Sequence, residues 1–248
     1  MEKNGQNLFA YQEKLRNMAE HVCLLDRKIP IEHQLEYFAV LQRLLKSDPM
    51  IKQLSEEECI SMFDRVLDDT VGLSEKKEIL VKLSMVHWIK VYRLLEEYDG
   101  KVAPELDEWL YLSLLISRLS IEMDLSGERQ VFVSTGLGGK GEKMRFNVVF
   151  ISKGGHLLED FQKNLIKQEF MYSFPREGYE IEKMDIEDRY VNILFLMPIK
   201  TNLENLFQTV LNECNQYGDF LSKTFILSNE GEFTEKDIED AVRKECGS

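Results

Sequence analysis

The stretch from residue 126 to residue 156, SGERQVFVSTGLGGKGEKMRFNVVFISKGGH, marks the point where the pattern of the sequence changes. Apolar residues before it recur every three or four positions, whereas within it they alternate or run together, as they do in strands. Residues 130–134, QVFVS, predict one strand, and residues 145–151, RFNVVFI, predict a second, buried one. The glycine-rich residues between them predict a β-hairpin with a long, flexible tip. We therefore expect a helical domain (1–125) followed by an α+β domain (126–248).

Beyond the hairpin the sequence predicts a regular order of elements. They are a helix near residues 156–170, strands near 179–186 and 190–199, a helix near 202–217 and a strand near 223–227. Counted from the strand at 145–151 the order is β-α-β-β-α-β, which is that of ferredoxin-like domains. A last helix is predicted to start at Thr234. The first strand of a ferredoxin-like sheet has a neighbour on both sides, so the strand at 130–134 must pair elsewhere, or the strand order must differ.

The residues before the boundary have the spacing of helices. We expect about five helices between residues 7 and 124, packed as a bundle because no repeat of fixed length is visible. Apolar positions from Leu8 to Val22 predict the first helix, and residues 74–97 predict either one long helix or two. Ser55 and Glu58 have the spacing of a capping box, in which each side chain accepts a hydrogen bond from the other's backbone N–H, and this marks a helix start.

Three large side chains of the helical half fall on apolar helix faces. They are His87, Trp88 and Trp109. We expect all three in the core, with the imidazole of His87 hydrogen-bonded there.

Charge and composition limit the classes of function. The 248 residues carry a formal net charge of -13, and binding to a phosphate backbone draws on clustered Lys and Arg, so we do not expect nucleic acid as a partner. No apolar run approaches the ~20 residues of a membrane span, and the N-terminus lacks the apolar core of a signal peptide. The four cysteines are scattered without a CxxC pair and predict reduced thiols. Together these features predict a cytoplasmic protein with no membrane partner.

Two glycine-rich segments are the candidates for a binding site. The first contains Gly136, Gly138, Gly139, Lys140 and Lys143, and the second contains Lys153, Gly154, Gly155 and His156. Glycines allow backbone N–H groups to turn inward around an anion, and the second segment leads into a helix N-terminus, which also favours anions. If both segments lie at one edge of the sheet, their lysines and the imidazole could surround one acidic ligand. The alternative for both is a structural turn or hinge, because neither matches a nucleotide-binding motif.

The remaining polar residues predict no catalytic or metal site. The histidines are too far apart for a local ligand pair, the carboxylate clusters read as solvated helix faces and turns, and no nucleophile motif is present. We expect no cofactor. The favoured interpretation is a non-catalytic interaction or regulatory protein that binds a protein partner or itself. The alternatives are a sensor of an anionic metabolite or nucleotide, and an enzyme or RNA-processing module whose site is assembled from distant residues.

Overall fold

The protein combines helices with an antiparallel β-sheet, in agreement with the predicted α+β class. The computed structural model describes residues 22–48, 50–127, 131–133, 135–199, 201 and 203–247. The described residues between 31 and 130 form a helical unit, and those up to Pro30 form an α+β unit with those from Val131 onward.

The described part of the helical unit contains five α-helices. They are α1 (Ile31–Ser47), α2 (Glu56–Leu67), α3 (Leu73–Ser84), α4 (Ile89–Tyr98) and α5 (Pro104–Ser126). The predicted segment at 74–97 therefore forms two helices. Val22, expected in the first helix, lies in a strand, and the rest of that predicted helix lies outside the described residues. Pro104 opens α5, and Gly127 ends it with a left-handed φ of 70°.

Local signals in the helical unit act as the sequence predicts. The Ser55 backbone N–H donates to Glu58 Oε2 at 2.7 Å, and the Glu58 N–H donates to Ser55 Oγ at 3.3 Å, so the predicted capping box starts α2.

In the core of the helical unit, the hydroxyl of the fully buried Tyr37 donates a hydrogen bond to Ser84 Oγ at 2.9 Å. Burial raises the pKa of Tyr37 to about 12, because an ionised phenol would be poorly solvated there.

Two side chains between α3 and α4 lie differently from their predicted positions. Trp109 is buried as expected, but the side chain of His87 is 38% exposed and pairs with Asp124. Trp88 is 43% exposed, and its indole N–H donates to the Leu54 carbonyl at 2.9 Å. The reason is the end of α3 at Ser84, whose hydroxyl donates to the Val81 carbonyl at 2.7 Å. Residues 85–88 then leave the helical path, so the helical face on which the prediction relied does not continue.

The α+β unit contains seven strands within the described residues. They are β1 (Val22–Leu24), β2 (Val131–Val133), β3 (Gly139–Lys140), β4 (Lys143–Ser152), β5 (Glu180–Ile186), β6 (Tyr190–Pro198) and β7 (Leu221–Ser228). The main sheet has the order β7-β4-β6-β5, with antiparallel neighbours, and β3 pairs with the start of β4. The strand predicted at 130–134 pairs elsewhere: β2 lies parallel to β1 in a separate two-stranded sheet.

Helices cover both faces of β4. They are α6 (Asp160–Arg176), α7 (Leu203–Asn215) and α8 (Glu235–Cys246). Side chains alternate along a strand, so Phe146, Val148 and Phe150 share one buried cluster with residues of α6 and α7. Val149 and Ile151 point the other way and pack against α8, which starts with a capping box at the predicted Thr234. Both faces are covered at residues 148–151, which accordingly form a continuous apolar run.

Candidate functional site

The first glycine-rich segment is buried against other parts of the backbone. Residues 135–139 are all buried, and only the following Lys140 of this stretch is exposed. The Leu137 N–H donates to the Asn229 carbonyl at 3.0 Å, and the Gly139 N–H donates to the Leu25 carbonyl at 2.6 Å. These backbone donors, which the anion-site prediction requires to be free, are therefore occupied by carbonyl groups of the chain.

The glycines of this segment are required by close backbone approach. A Cβ at Gly136 would lie 2.6 Å from the carbonyl carbon of Glu230 and closer still to its oxygen. A Cβ at Gly138 would lie 2.5 Å from the carbonyl oxygen of Arg27, and Gly138 also has a left-handed φ of 67°. A side chain at either position would force backbone atoms apart. The atoms that it would meet belong to the backbone and cannot turn aside as the end of a flexible side chain can.

Arg145 ties this segment to the sheet. Its guanidinium donates to the Leu137 carbonyl at 2.7 Å and to both carboxylate oxygens of Glu182, at 2.5 and 2.9 Å. Such bidentate pairs are strong and directional. The hydrogen bonds that Arg145 donates to Glu182 lower the pKa of Glu182 and raise the pKa of Arg145. No local pattern in the sequence marks Arg145, because its partner is 37 residues away.

The hairpin at this end of β4 is short and tight. Lys140 lies opposite Lys143 across a two-residue turn at Gly141 and Glu142, and Gly141 has a left-handed φ of 58°. The prediction of a long, flexible hairpin tip is therefore wrong. Most of the residues assigned to that tip form the buried segment 135–139, and only Gly141 and Glu142 form the turn. Lys143 pairs with Glu180 on β5.

The second glycine-rich segment forms a single turn of 3-10 helix at Lys153–Gly155. Gly154 and Gly155 have left-handed φ values of 60° and 68°, which explains why the turn contains glycine. This turn follows Ser152, the last residue of β4, whereas Lys143 is the first residue of the same strand. Ten residues of strand at ~3.4 Å per residue separate the two ends by roughly 30 Å. Lys143 and Lys153 therefore do not converge on one small ligand.

An open cleft lies beside this second segment. It has a volume of about 600 Å³, and we call it the β4–β7 cleft. Three predicted site residues line it, Lys153, Gly154 and His156, together with Leu157, Leu158 and Gln162 that follow and with Gly218, Asp219 and Phe220 before β7. The pairing of β4 with β7 brings the two segments together, as Ser152 lies opposite Leu221 and the Lys153 N–H donates to the Phe220 carbonyl at 2.8 Å.

The charges around the β4–β7 cleft are mixed. Lys153 forms an ion pair with Asp219, and the Gly154 N–H faces a carboxylate oxygen of Glu245 at 3.5 Å. Sequence reasoning missed Asp219 because it lies in a loop whose position depends on the register of β7. No other local signal in the sequence points to this cleft, because the predicted helix near residues 156–170 accounts for the apolar residues after His156.

Comparisons with known proteins add little to this geometry. No protein family and no curated protein matches the sequence. Among solved structures, a proposed transposase from Deinococcus radiodurans R1 aligns with 43% of this chain and 94% of its own, at 13% identity and a TM-score of 0.34. A REP-associated tyrosine transposase bound to a REP hairpin aligns with 46% of this chain and 67% of its own, at 10% identity and a TM-score of 0.32. Similarity at this level does not bear on what this chain binds.

Two findings concern other kinds of site. Among the residues that the structure describes, no group of three or more His, Cys, Asp and Glu side chains is arranged to hold a metal ion. None of the described helices has the length and apolar character needed to cross a membrane.

Proposed function

We propose that this chain is a non-catalytic interaction protein that binds a segment of a partner protein in the β4–β7 cleft. The observation that carries the proposal is the exposure of an apolar side chain there: Leu157 lines the cleft and is 63% exposed. Leu158 and Phe220 also line the cleft, but they are only 6% and 9% exposed and belong to the core. An exposed apolar side chain at an open cleft is a candidate anchor point for a partner.

The charges favour a basic segment over an anionic ligand. Lys153 is neutralised by Asp219, and Glu245 adds a second carboxylate at the Gly154 amide. An anionic metabolite would have to displace Asp219 from Lys153 and then lie beside Glu245. The chain as a whole carries a net charge of -13, which attracts basic partners and repels nucleic acid. We infer that the bound segment has a Leu or Phe anchor flanked by Lys or Arg.

Fluorescence anisotropy of labelled peptides tests the proposal on the full chain. One set carries a Leu or Phe anchor between basic residues, and a matched set carries the same anchor between acidic residues. We expect the basic set to bind, and Leu157→Ser to weaken binding roughly tenfold or more, since a buried Leu side chain contributes about 1.5–3 kcal/mol. Met171→Ser is the control, because Met171 is also an exposed apolar residue, at 53%, but does not line the cleft.

Three outcomes would count against this function. The proposal fails if neither peptide set binds, if Leu157→Ser binds as well as the unchanged protein, or if Met171→Ser weakens binding equally. Inorganic phosphate is included as a competitor. Competition that is lost in Lys153→Ala, in the absence of peptide binding, would favour the alternative of an anion sensor.

The remaining proposals concern fold and location. We propose that β4, α6, β5, β6, α7 and β7 form a ferredoxin-like domain within the region 126–248. Support comes from the strand order β7-β4-β6-β5 with antiparallel neighbours and from two helices on one face. Of the predicted domain 1–125, the described residues 22–30 belong to the α+β unit, and we further propose that the helical part from Ile31 onward forms a separate domain and that the protein is cytoplasmic. Limited proteolysis confined to residues 126–135 with two stable products would support the domain boundary.

A further inference from the structure

The strand β7 lies at an edge of the main sheet, because β4 is its only partner strand among the described residues. Two hydrogen bonds show which residues of β4 face the side of the sheet on which β7 lies. The Arg145 N–H donates to the Gly138 carbonyl at 3.0 Å, and the Lys153 N–H donates to the Phe220 carbonyl at 2.8 Å. The backbone groups of successive residues point to opposite sides of a strand, so the odd-numbered residues of β4 face β7.

Phe225 and Leu227 therefore direct their backbone N–H and C=O groups toward the outer edge of β7. Val149 is an odd-numbered residue of β4 and lies opposite Ile226, so Ile226 faces β4 and its two neighbours face away. Among the described residues, no segment pairs with these outward groups. A row of unpaired N–H and C=O groups is a template on which another chain can pair as a strand.

The opposite edge of the sheet, β5, is protected against such pairing. Four of its seven residues are charged, and its register with β6 shifts within the strand; both features discourage an added strand. The only charged residue of β7 is Lys223, and the half-buried Phe225, Ile226 and Leu227 supply apolar side chains to both faces. The register shift of β7 lies before Phe225. The edge of β7 is therefore the one that fits an added strand.

The β4–β7 cleft lies at the N-terminal end of this free edge. Gly218, Asp219 and Phe220 line the cleft and lead directly into β7. Leu227 follows Phe220 by seven residues, so an extended segment of about eight residues, at ~3.3 Å each, spans both the cleft and the edge. A partner segment fits this edge better than a second copy of the chain does, because the net charge of -13 on each copy opposes their association.

We propose that the partner segment bound in the β4–β7 cleft continues along β7 as an added β-strand, which exchanges backbone hydrogen bonds with Phe225 and Leu227. Such main-chain bonds supply affinity, and alternate side chains supply specificity. The side chains of the added strand lie alternately beside these two residues and beside Ile226, so beyond its basic anchor the segment carries uncharged strand-forming residues such as Val and Thr. This inference rests on the proposed peptide-binding function and adds the conformation of the bound segment.

Fluorescence anisotropy of three labelled peptides on the full chain tests the added strand. A short peptide carries only a Leu anchor between lysines. Two longer peptides add about six alternating Val and Thr residues, either before the anchor, to run antiparallel to β7, or after it, to run parallel. We expect one of the longer peptides to bind roughly tenfold or more tightly than the short one, because it gains several backbone hydrogen bonds.

Backbone N-methylation of the tighter peptide distinguishes a strand from any other bound conformation. Methylating every second residue of the extension removes the N–H donors that face β7, and methylating the intervening residues removes those that face solvent. We expect the first change to weaken binding roughly fivefold or more and the second to leave it unchanged. The two methylated peptides have the same composition, so each is the control for the other.

The outcomes separate this inference from the function on which it rests. Longer peptides that bind no more tightly than the short one, or equal weakening by both methylation patterns, would overturn the added strand and leave peptide binding in the cleft intact. Absence of all binding would overturn both. An alternating effect of methylation with equal affinity in Leu157→Ser would support the strand and refute the cleft. A dimer in sedimentation velocity that the longer peptide dissociates would show that a second copy occupies the edge, and this would overturn the choice of partner.

Discussion

Gly136→Ala should destabilise the α+β unit strongly, because the added methyl group has no room. The Cβ would overlap the carbonyl group of Glu230, which is backbone and cannot turn away as a side chain can. Gly136 has no left-handed φ, so the effect is purely one of space. Gly231→Ala is a matched control next to Glu230, since a Cβ there meets nothing within 4 Å and the backbone is equally ordinary.

The size of the expected loss in stability follows from the backbone segments that must move apart. Relieving the overlap separates residue 136 from the 229–230 loop and strains the 3.0 Å hydrogen bond from Leu137 to Asn229. Overpacking of this kind costs about 1–3 kcal/mol, and the loss of a backbone hydrogen bond adds about 1 kcal/mol. We expect a loss of about 3 kcal/mol for Gly136→Ala. Gly231→Ala should stay within about 0.5 kcal/mol or gain slightly, because alanine restricts the unfolded chain.

Urea unfolding followed by far-ultraviolet circular dichroism measures the difference. Both tryptophans, Trp88 and Trp109, lie in the helical unit, so their fluorescence does not report directly on the unit that changes. With a slope of roughly 2–3 kcal/mol per molar urea, the midpoint of the α+β transition should fall by about 1 M in Gly136→Ala and remain in place in Gly231→Ala. Equal midpoints for the two variants would refute the close approach of residue 136 to Glu230.

Three further perturbations follow from contacts of other kinds. Ser55→Ala removes the N-cap of α2 and should lower the free energy of unfolding by about 1 kcal/mol, measured by tryptophan fluorescence in urea. Glu182→Gln should destabilise the protein at neutral pH. The pKa of Glu182 is lowered by Arg145, so its contribution is present above the ordinary carboxyl pKa and lost as the pH falls through the folded value. Melting curves from pH 7 to pH 3 should therefore show the melting temperatures of the unchanged protein and of Glu182→Gln converging in acid. A difference in melting temperature that stays constant with pH would contradict this. Tyr37, whose pKa is raised to about 12, should remain protonated in the folded protein up to that pH. Stability is then lost as the pH rises above the unfolded phenol pKa of about 10, and Tyr37→Phe should remove that part of the loss in an alkaline melting series.

Local patterns in the sequence predicted local structure well. The capping boxes at Ser55 and Thr234 start helices as expected, because both partners lie within four residues of each other. The predicted buried strand at 145–151 forms part of β4 for an equally direct reason. A strand that is covered by helices on both faces needs apolar side chains on both of those faces.

Contacts between distant segments were beyond the reach of the sequence. Apart from the nearby Lys143 carbonyl at Gly139, the carbonyl groups that pack against the first glycine segment come from Leu25, Arg27 and Glu230, each about 90 residues or more away. The β4–β7 cleft depends on the register that places Ser152 opposite Leu221. A pattern of residue types gives the periodicity of an element, but it does not give which loops meet when the elements pack.

The two glycine segments show why a glycine-rich motif predicts a ligand only when its N–H groups are free. Glycine allows backbone to approach an anion, and it equally allows backbone to approach another backbone. At Gly138 and Gly139 the second use is realised: the carbonyl groups of the chain occupy the space and the donors that an anion would need. At Gly154 the turn is open to a cleft, but its amide faces a carboxylate. Neither segment therefore offers free N–H groups to an anion, and the exposed Leu157 beside the second one directs the search to a protein partner.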